Sequence, residues 1–147
     1  MQANPYLFFD GNCRDAFEFY AQALGGDIKA MMRAGDMPPD AASDDGPGSG
    51  CAAQPASNDL IMHACLDLGG SLLMASDWMG TEPFQPPRGT HIALGVDSVD
   101  EAERVFEALS AGGQVRMPLA KAFFSDAFGM LMDKFGVSWM VNCQKGD

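Results

Sequence analysis

One pattern, strand–helix–three strands, runs twice along this chain, and that repetition restricts the fold more than any other feature. Ala16-x-x-Phe19-Tyr20 matches Ala102-x-x-Val105-Phe106 at an offset of 86 positions, and a Gly-Gly pair follows each stretch. Asp67-x-x-Gly70-Ser71-Leu72-Leu73-Met74 matches Asp133-x-x-Gly136-Val137-Ser138-Trp139-Met140 at an offset of 66. The two offsets differ by 20, about the surplus length of the Gly35–Asn58 segment in the first copy.

Each copy reads the same way in detail. Tyr6 to Phe9 is a short apolar strand. Asn12 then stands as N-cap before Cys13 to Leu24, where Ala16, Phe17, Phe19, Tyr20, Ala23 and Leu24 recur at helical spacing. Asp27 to Ala34, Asp59 to Leu68 and Ser71 to Ser76 read as strands. In the second copy, His91 to Val96 is a strand and Ser98-Val99-Asp100-Glu101 is a capping box opening a helix to Leu109. Gln114 to Ala120 follows as a strand. The chain then ends in a hairpin, Ala127 to Cys143, around Asp133-Lys134-Phe135-Gly136, with Gly136 as the positive-φ residue and Asp133 bonding its own turn. Period-2 alternation sets Trp139, Val141 and Cys143 on one face, and Ser138, Met140 and Asn142 on the other. Gly35–Asn58 is rich in Pro, Gly, Ser and Asp, and is expected to be a mobile loop.

Composition excludes several function classes. With 9 basic and 20 acidic residues, the net charge of −11 repels phosphate backbones and anionic headgroups, so neither nucleic acid nor a membrane surface is an expected partner. No apolar run is long enough to span a bilayer, and MQANPYLFFDG lacks a basic stretch before its apolar patch. A cytoplasmic location is the expectation. Cys13, Cys51, Cys65 and Cys143 are scattered, with no C-x-x-C pair, and read as reduced thiols. The 147 residues are one domain's worth, expected as a single domain with module one at about 1–76 and module two at about 90–143.

Several stretches carry a resemblance to a known family: Asn4-Pro5-Tyr6-Leu7, Gly11-Asn12-Cys13, Leu24-Gly25-Gly26, Gly35-Asp36-Met37-Pro38, Ile61-Met62-His63-Ala64, Leu73-Met74-Ala75-Ser76-Asp77, and Phe128-Gly129-Met130-Leu131 through Gly136-Val137-x-Trp139-Met140. The chain resembles the PhnB-like proteins, labelled 3-demethylubiquinone 3-methyltransferase-like, of the glyoxalase/bleomycin-resistance/extradiol dioxygenase (vicinal oxygen chelate) superfamily. The resemblance implies an α+β fold of paired βαβββ modules forming a cupped half-barrel around a ligand. It also implies a homodimer, because members pair modules across chains and a half-barrel leaves strand edges for a partner to cover.

Metal-dependent members hold a divalent ion at the first and last strand of each module. Counted from the helices, those places are Pro5, Met74, His91 and Met140. One imidazole, one proline ring and two thioethers lack the N and O donors such an ion requires, so no metal and no cofactor is expected, with His91 the candidate ligand if one is present. The Gly-rich run Gly46-Pro47-Gly48-Ser49-Gly50 lies inside the loop, not between a strand and a helix, so no adenosylmethionine site is visible. The expected function is binding of a small, mostly apolar ligand in the cup. The lining candidates are Met74, Trp78, Phe124, Trp139, Met140 and Asn142, with His63 and His91 as polar anchors. The alternative is a superfamily enzyme, a lyase, dioxygenase or methyltransferase, using His63, His91 and a carboxylate such as Asp77 or Asp126. There His63 is the candidate catalytic base. Cys13, at the first helical turn, reads either as a reactive thiol activated by the helix dipole or as a small residue beside the cap.

Overall fold

The computed structural model describes residues 1–36 and 59–144. Of the segment expected to be a mobile loop, everything from position 37 to 58 lies outside the described residues. The chain divides into two compact units, Met1–Gln85 and Pro86–Asp147.

The first unit contains β1 (Tyr6–Phe9), α1 (Cys13–Leu24), β2 (Asp27–Arg33), a single 3-10 turn (Ala34–Asp36), β3 (Ile61–Asp67) and β4 (Leu72–Asp77). The second contains β5 (Ile92–Val96), α2 (Val99–Ser110), β6 (Gln114–Ala122), β7 (Ser125–Met132) and β8 (Ser138–Gln144). Each unit has one four-stranded sheet, in the order β1-β4-β3-β2 and β5-β8-β7-β6, so the topology is the same twice. In each, the first strand pairs parallel with the last and the other pairings are antiparallel. This is the expected α+β plan of paired βαβββ modules. Neither sheet closes on itself: β1 and β2 bound one, β5 and β6 the other.

Alternation along the strands places one face of each sheet under its helix. In the first unit Phe9, Ala64, Leu66, Leu73 and Ala75 are buried, and the Phe9 ring lies 6.5 Å from Phe17 and 6.4 Å from Tyr20 of α1. In the second, Leu131, Trp139 and Val141 are buried, as are Ala102, Val105, Phe106 and Leu109 of α2. Gly129 marks a close approach of α2 to the sheet: a Cβ on it would stand 2.7 Å from Cε2 of Phe106 and 3.0 Å from Cα of Leu119. Each fully buried large side chain contributes about 1.5–3 kcal/mol.

The helices start differently. At α2 the Ser98 cap is as read, its Oγ accepting from Glu101 N at 3.1 Å, while Glu101 Oε2 reaches one residue further back and accepts from Asp97 N at 3.3 Å. At α1, Asn12 occupies the N-cap position without a side-chain capping bond. The acceptor comes from β4 instead, where Asp77 Oδ1 takes Cys13 N at 2.9 Å while its Oδ2 takes Ile61 N at 2.7 Å. One buried carboxylate thus ties the helix start to the start of β3.

Strand register corrects the repeat by one residue in two places. The helices are 86 positions apart, but Tyr6 pairs with Met74 and Ala93 with Met140, so Tyr6 corresponds to Ala93, and 93 − 6 = 87. The extra residue before α1 is accommodated at Gly11, whose φ of +86° suits glycine. By ladder register the position matching His91 is therefore Asn4, not Pro5. At the hairpins, Cys65 pairs with Met74 and Met130 with Met140, so the repeat counterpart of Asp67 is Met132 rather than Asp133. Both aspartates still make the same local turn. Asp67 Oδ1 accepts from Gly69 N at 2.8 Å, and Asp133 Oδ1 accepts from Phe135 N at 2.8 Å.

Candidate functional site

Each sheet has a second face with no helix on it. Pairing in the first sheet puts Tyr6, Met74 and Cys65 in one row, and Phe8 and Ser76 in the next. The Tyr6 ring stacks on His63 at 6.1 Å and lies 5.3 Å from Phe8, whose own ring meets Trp78 edge-on at 5.3 Å. Trp78 is held by its Nε1, which donates to the Glu82 carbonyl at 2.7 Å. His63, Met74 and Trp78 therefore belong to one partly exposed aromatic and thioether surface. Tyr6 and Phe8 join it; the sequence reading missed them, although the period-2 alternation of Tyr6–Phe9 points there.

In the second sheet the corresponding rows are Met117–Met130–Met140 with Ala93, and Phe128–Asn142 with Gly95. Phe124 packs edge-on against Phe128 at 5.2 Å, and Phe123 against Phe124 at 5.1 Å. Phe124, Met140 and Asn142 thus share one surface with Met117, Met130 and Phe128. Asn142 Oδ1 is shielded from solvent and has no hydrogen-bond partner; no other buried side-chain nitrogen or oxygen among the described residues is in that state. Gly95, beside it, leaves open space: a Cβ there would meet nothing within 4 Å.

Two of the expected lining residues stand elsewhere. Trp139 is 0 % exposed on the helix-covered side, and its Nε1 donates to Asp133 Oδ2 at 2.8 Å. The alternation that set it opposite Met140 and Asn142 holds, so it is a core residue with no surface for a ligand. His91 precedes β5 and is exposed.

Cys13 is not activated. It is fully buried, and burial, helped by the Asp77 carboxylate, pushes its thiol far above the usual range, overriding the helix dipole. Cys13, Cys65 and Cys143 are all unpaired thiols, as expected of them.

Of the residues counted as metal positions, Met74 and Met140 carry thioethers, Asn4 (in place of Pro5) a neutral amide and only His91 an imidazole, while the carboxylate candidate Asp77 already accepts from two backbone amides. Among the described residues, no three His, Cys, Asp or Glu side chains are grouped as a divalent ion requires. No helix among them is long and apolar enough to cross a membrane.

Comparison with known proteins agrees with this architecture. The Escherichia coli protein YjdN is 34 % identical over 147 residues, covering 99 % of this chain and 97 % of its own. The crystal structure of a Pseudomonas aeruginosa protein superposes with a TM-score of 0.83 at 45 % identity, covering 99 % of both chains. A Bacillus cereus protein described as a PhnB protein and candidate 3-demethylubiquinone-9 3-methyltransferase gives a TM-score of 0.73 at 26 % identity, covering 97 % of this chain and 99 % of that one. The model of the Glyoxalase/Bleomycin resistance protein/Dioxygenase superfamily matches residues 2–141, and the chain belongs to that superfamily.

Proposed function

We propose that this protein binds a small, mostly apolar molecule on the helix-free faces of its sheets, without a catalytic metal, and works as a single-domain homodimer in the cytoplasm. One observation carries the reading: large apolar side chains remain exposed on those faces, Tyr6 at 42 %, Met32 at 44 % and Met117 at 47 %. Aromatic and thioether surface of that kind is costly to leave in water and is ordinarily a binding surface. The methyltransferase activity in the description of the Bacillus cereus neighbour finds no support among the described residues, where neither turn that leads from a strand into a helix is Gly-rich as adenosylmethionine binding requires.

The test is a thermal-shift screen of small apolar compounds on the purified protein, with hits followed by ligand-observed NMR and repeated on Met140→Asp and Tyr6→Asp. Hits that raise the melting temperature of the wild type and lose their effect in either variant support the reading. Hits that bind both variants unchanged, or no hits, sink it. Elemental analysis belongs with it. About one zinc, nickel, iron or manganese per chain, lost in His91→Ala or His63→Ala, would overturn the metal-free reading in favour of an enzyme with a displaced site. Sedimentation at micromolar concentration checks the dimer, and a monomer mass contradicts it.

A further inference from the structure

We infer that the second sheet selects a flat, aromatic-sized ligand that donates a hydrogen bond, with Asn142 Oδ1 as the acceptor and the gap over Gly95 as the seat of the ring. This rests on the binding reading above and names the chemistry of its ligand.

Three observations converge on one row of β5, β8 and β7. Asn142 pairs with Gly95 on one side and Phe128 on the other, so these positions are neighbours on the same face. Its Oδ1 is buried and without a partner, a state that costs the full desolvation of a carbonyl unless a donor arrives. Gly95 leaves its place in the row empty, and the Phe128 and Phe124 rings form an aromatic wall on the other side.

The first sheet gives the size of the gap. Its residue at the place of Gly95 is Phe8, which pairs with Ser76 as Gly95 pairs with Asn142. There the chain supplies its own ring, packed against Trp78 at 5.3 Å. The second sheet has the same backbone plan without that ring. A planar ring from outside therefore fits, and edge-to-face packing on Phe128 and Phe124 is open to it. The orphan acceptor calls for an N–H or O–H donor, and the net charge of −11 disfavours carboxylates and phosphates.

Indole and benzofuran test this, because they share shape and differ in the N–H. Isothermal titration of the wild type should show indole binding about five- to tenfold more tightly than benzofuran, the scale of one net hydrogen bond to a stranded acceptor. In Asn142→Leu that preference should fall to about one while benzofuran binding persists. Gly95→Phe, which copies the first sheet, should weaken both probes at least about tenfold with its urea midpoint unchanged, since the added side chain starts in open space. Equal affinity of the wild type for both probes, or a preference that survives Asn142→Leu, overturns the inference and leaves the broader binding reading standing. Binding of neither probe to the wild type also overturns it, and the compound screen then decides separately whether the broader reading survives.

Discussion

The two modules share a topology, and each fastens its last strand with a buried aspartate, yet the aspartates sit at opposite ends of that strand. Asp77 closes β4 and reaches outward in sequence, accepting from Cys13 N and Ile61 N, which are 64 and 16 residues away. Asp133 precedes β8 and works locally, accepting from Phe135 N, Val137 N and Trp139 Nε1 at 2.8, 3.0 and 2.8 Å. The first arrangement joins three elements that lie apart in sequence. The second builds a hairpin whose turn and core tryptophan are set by one side chain. A carboxylate that serves more buried donors strands more of them when it is removed.

That difference sets the largest expected effect. Asp133→Ala removes the carboxylate that accepts from two backbone amides and a buried indole N–H and should destabilise the protein by about 4 kcal/mol. Asp77→Ala strands two backbone amides and should cost about 3 kcal/mol. Urea unfolding of both variants checks the order. An Asp77 variant less stable than the Asp133 variant would show that the long-range tie matters more than donor count.

The faces of one sheet differ as much as the modules do. Gly129 lies beneath α2, where a Cβ would press on Phe106 and on the Leu119 backbone, whereas Gly95 on the open face meets nothing. Gly129→Ala should cost about 2 kcal/mol through overpacking, and Gly95→Ala should stay within about 0.5 kcal/mol of the wild type. Similar costs at both sites would break the assignment of faces.

The start of α1 gives a pH-dependent contrast with the start of α2, which has no cysteine. Below its ordinary value of 9.0 the Cys13 thiol keeps its proton whether the chain is folded or not, and stability does not respond to it. Above that value the unfolded chain releases the proton while burial keeps it on in the folded state. Unfolding is then favoured, and stability falls as pH rises, by up to about 1.4 kcal/mol per pH unit from this group. Cys13→Ala should remove that part of the slope between pH 9 and 10, seen as the difference between its urea-unfolding free energies and those of the wild type. Parallel slopes would show that the thiol ionises in the folded state as freely as in the unfolded one.

The repeat was legible because helix starts, Gly-Gly stops and turn residues are local signals that survive in sequence. Ladder register is not local. It slid by one residue at Gly11 and again at the second hairpin, so a ligand position counted from the helices lands on Pro5 while strand register makes Asn4 the repeat counterpart of His91. The open-face residues Met140 and Asn142 follow from alternation alone, and Phe128 and Met130 would have followed by pairing them across the hairpin. Trp139, a lining candidate, falls by the same alternation on the face opposite Met140 and Asn142, and that face is the buried one. Asp77 as the cap of α1 had no sequence signal, since a contact across 64 residues depends on the finished sheet.

One expected effect is a gain rather than a loss, and it contrasts a buried polar group that lacks a partner with one that is bonded. Replacing a buried polar group that has a partner destabilises a protein, but replacing one that has none removes a penalty already present. Asn142 Oδ1 is such a group, while across the hairpin Ser125 Oγ, also buried, bonds to the Ala127 and Cys143 carbonyls at 2.7 Å each. Asn142→Leu keeps the branch at Cγ and the number of heavy atoms, and should stabilise the ligand-free protein by about 1 kcal/mol, a rise of about 2–4 °C in melting temperature. Ser125→Ala, which removes a satisfied donor, should lower it by a similar amount. Calorimetry on both variants reads the two signs together. A loss in Asn142→Leu as large as that in Ser125→Ala would mean that the asparagine has a structural partner, and the second sheet would then offer a ligand no unsatisfied acceptor.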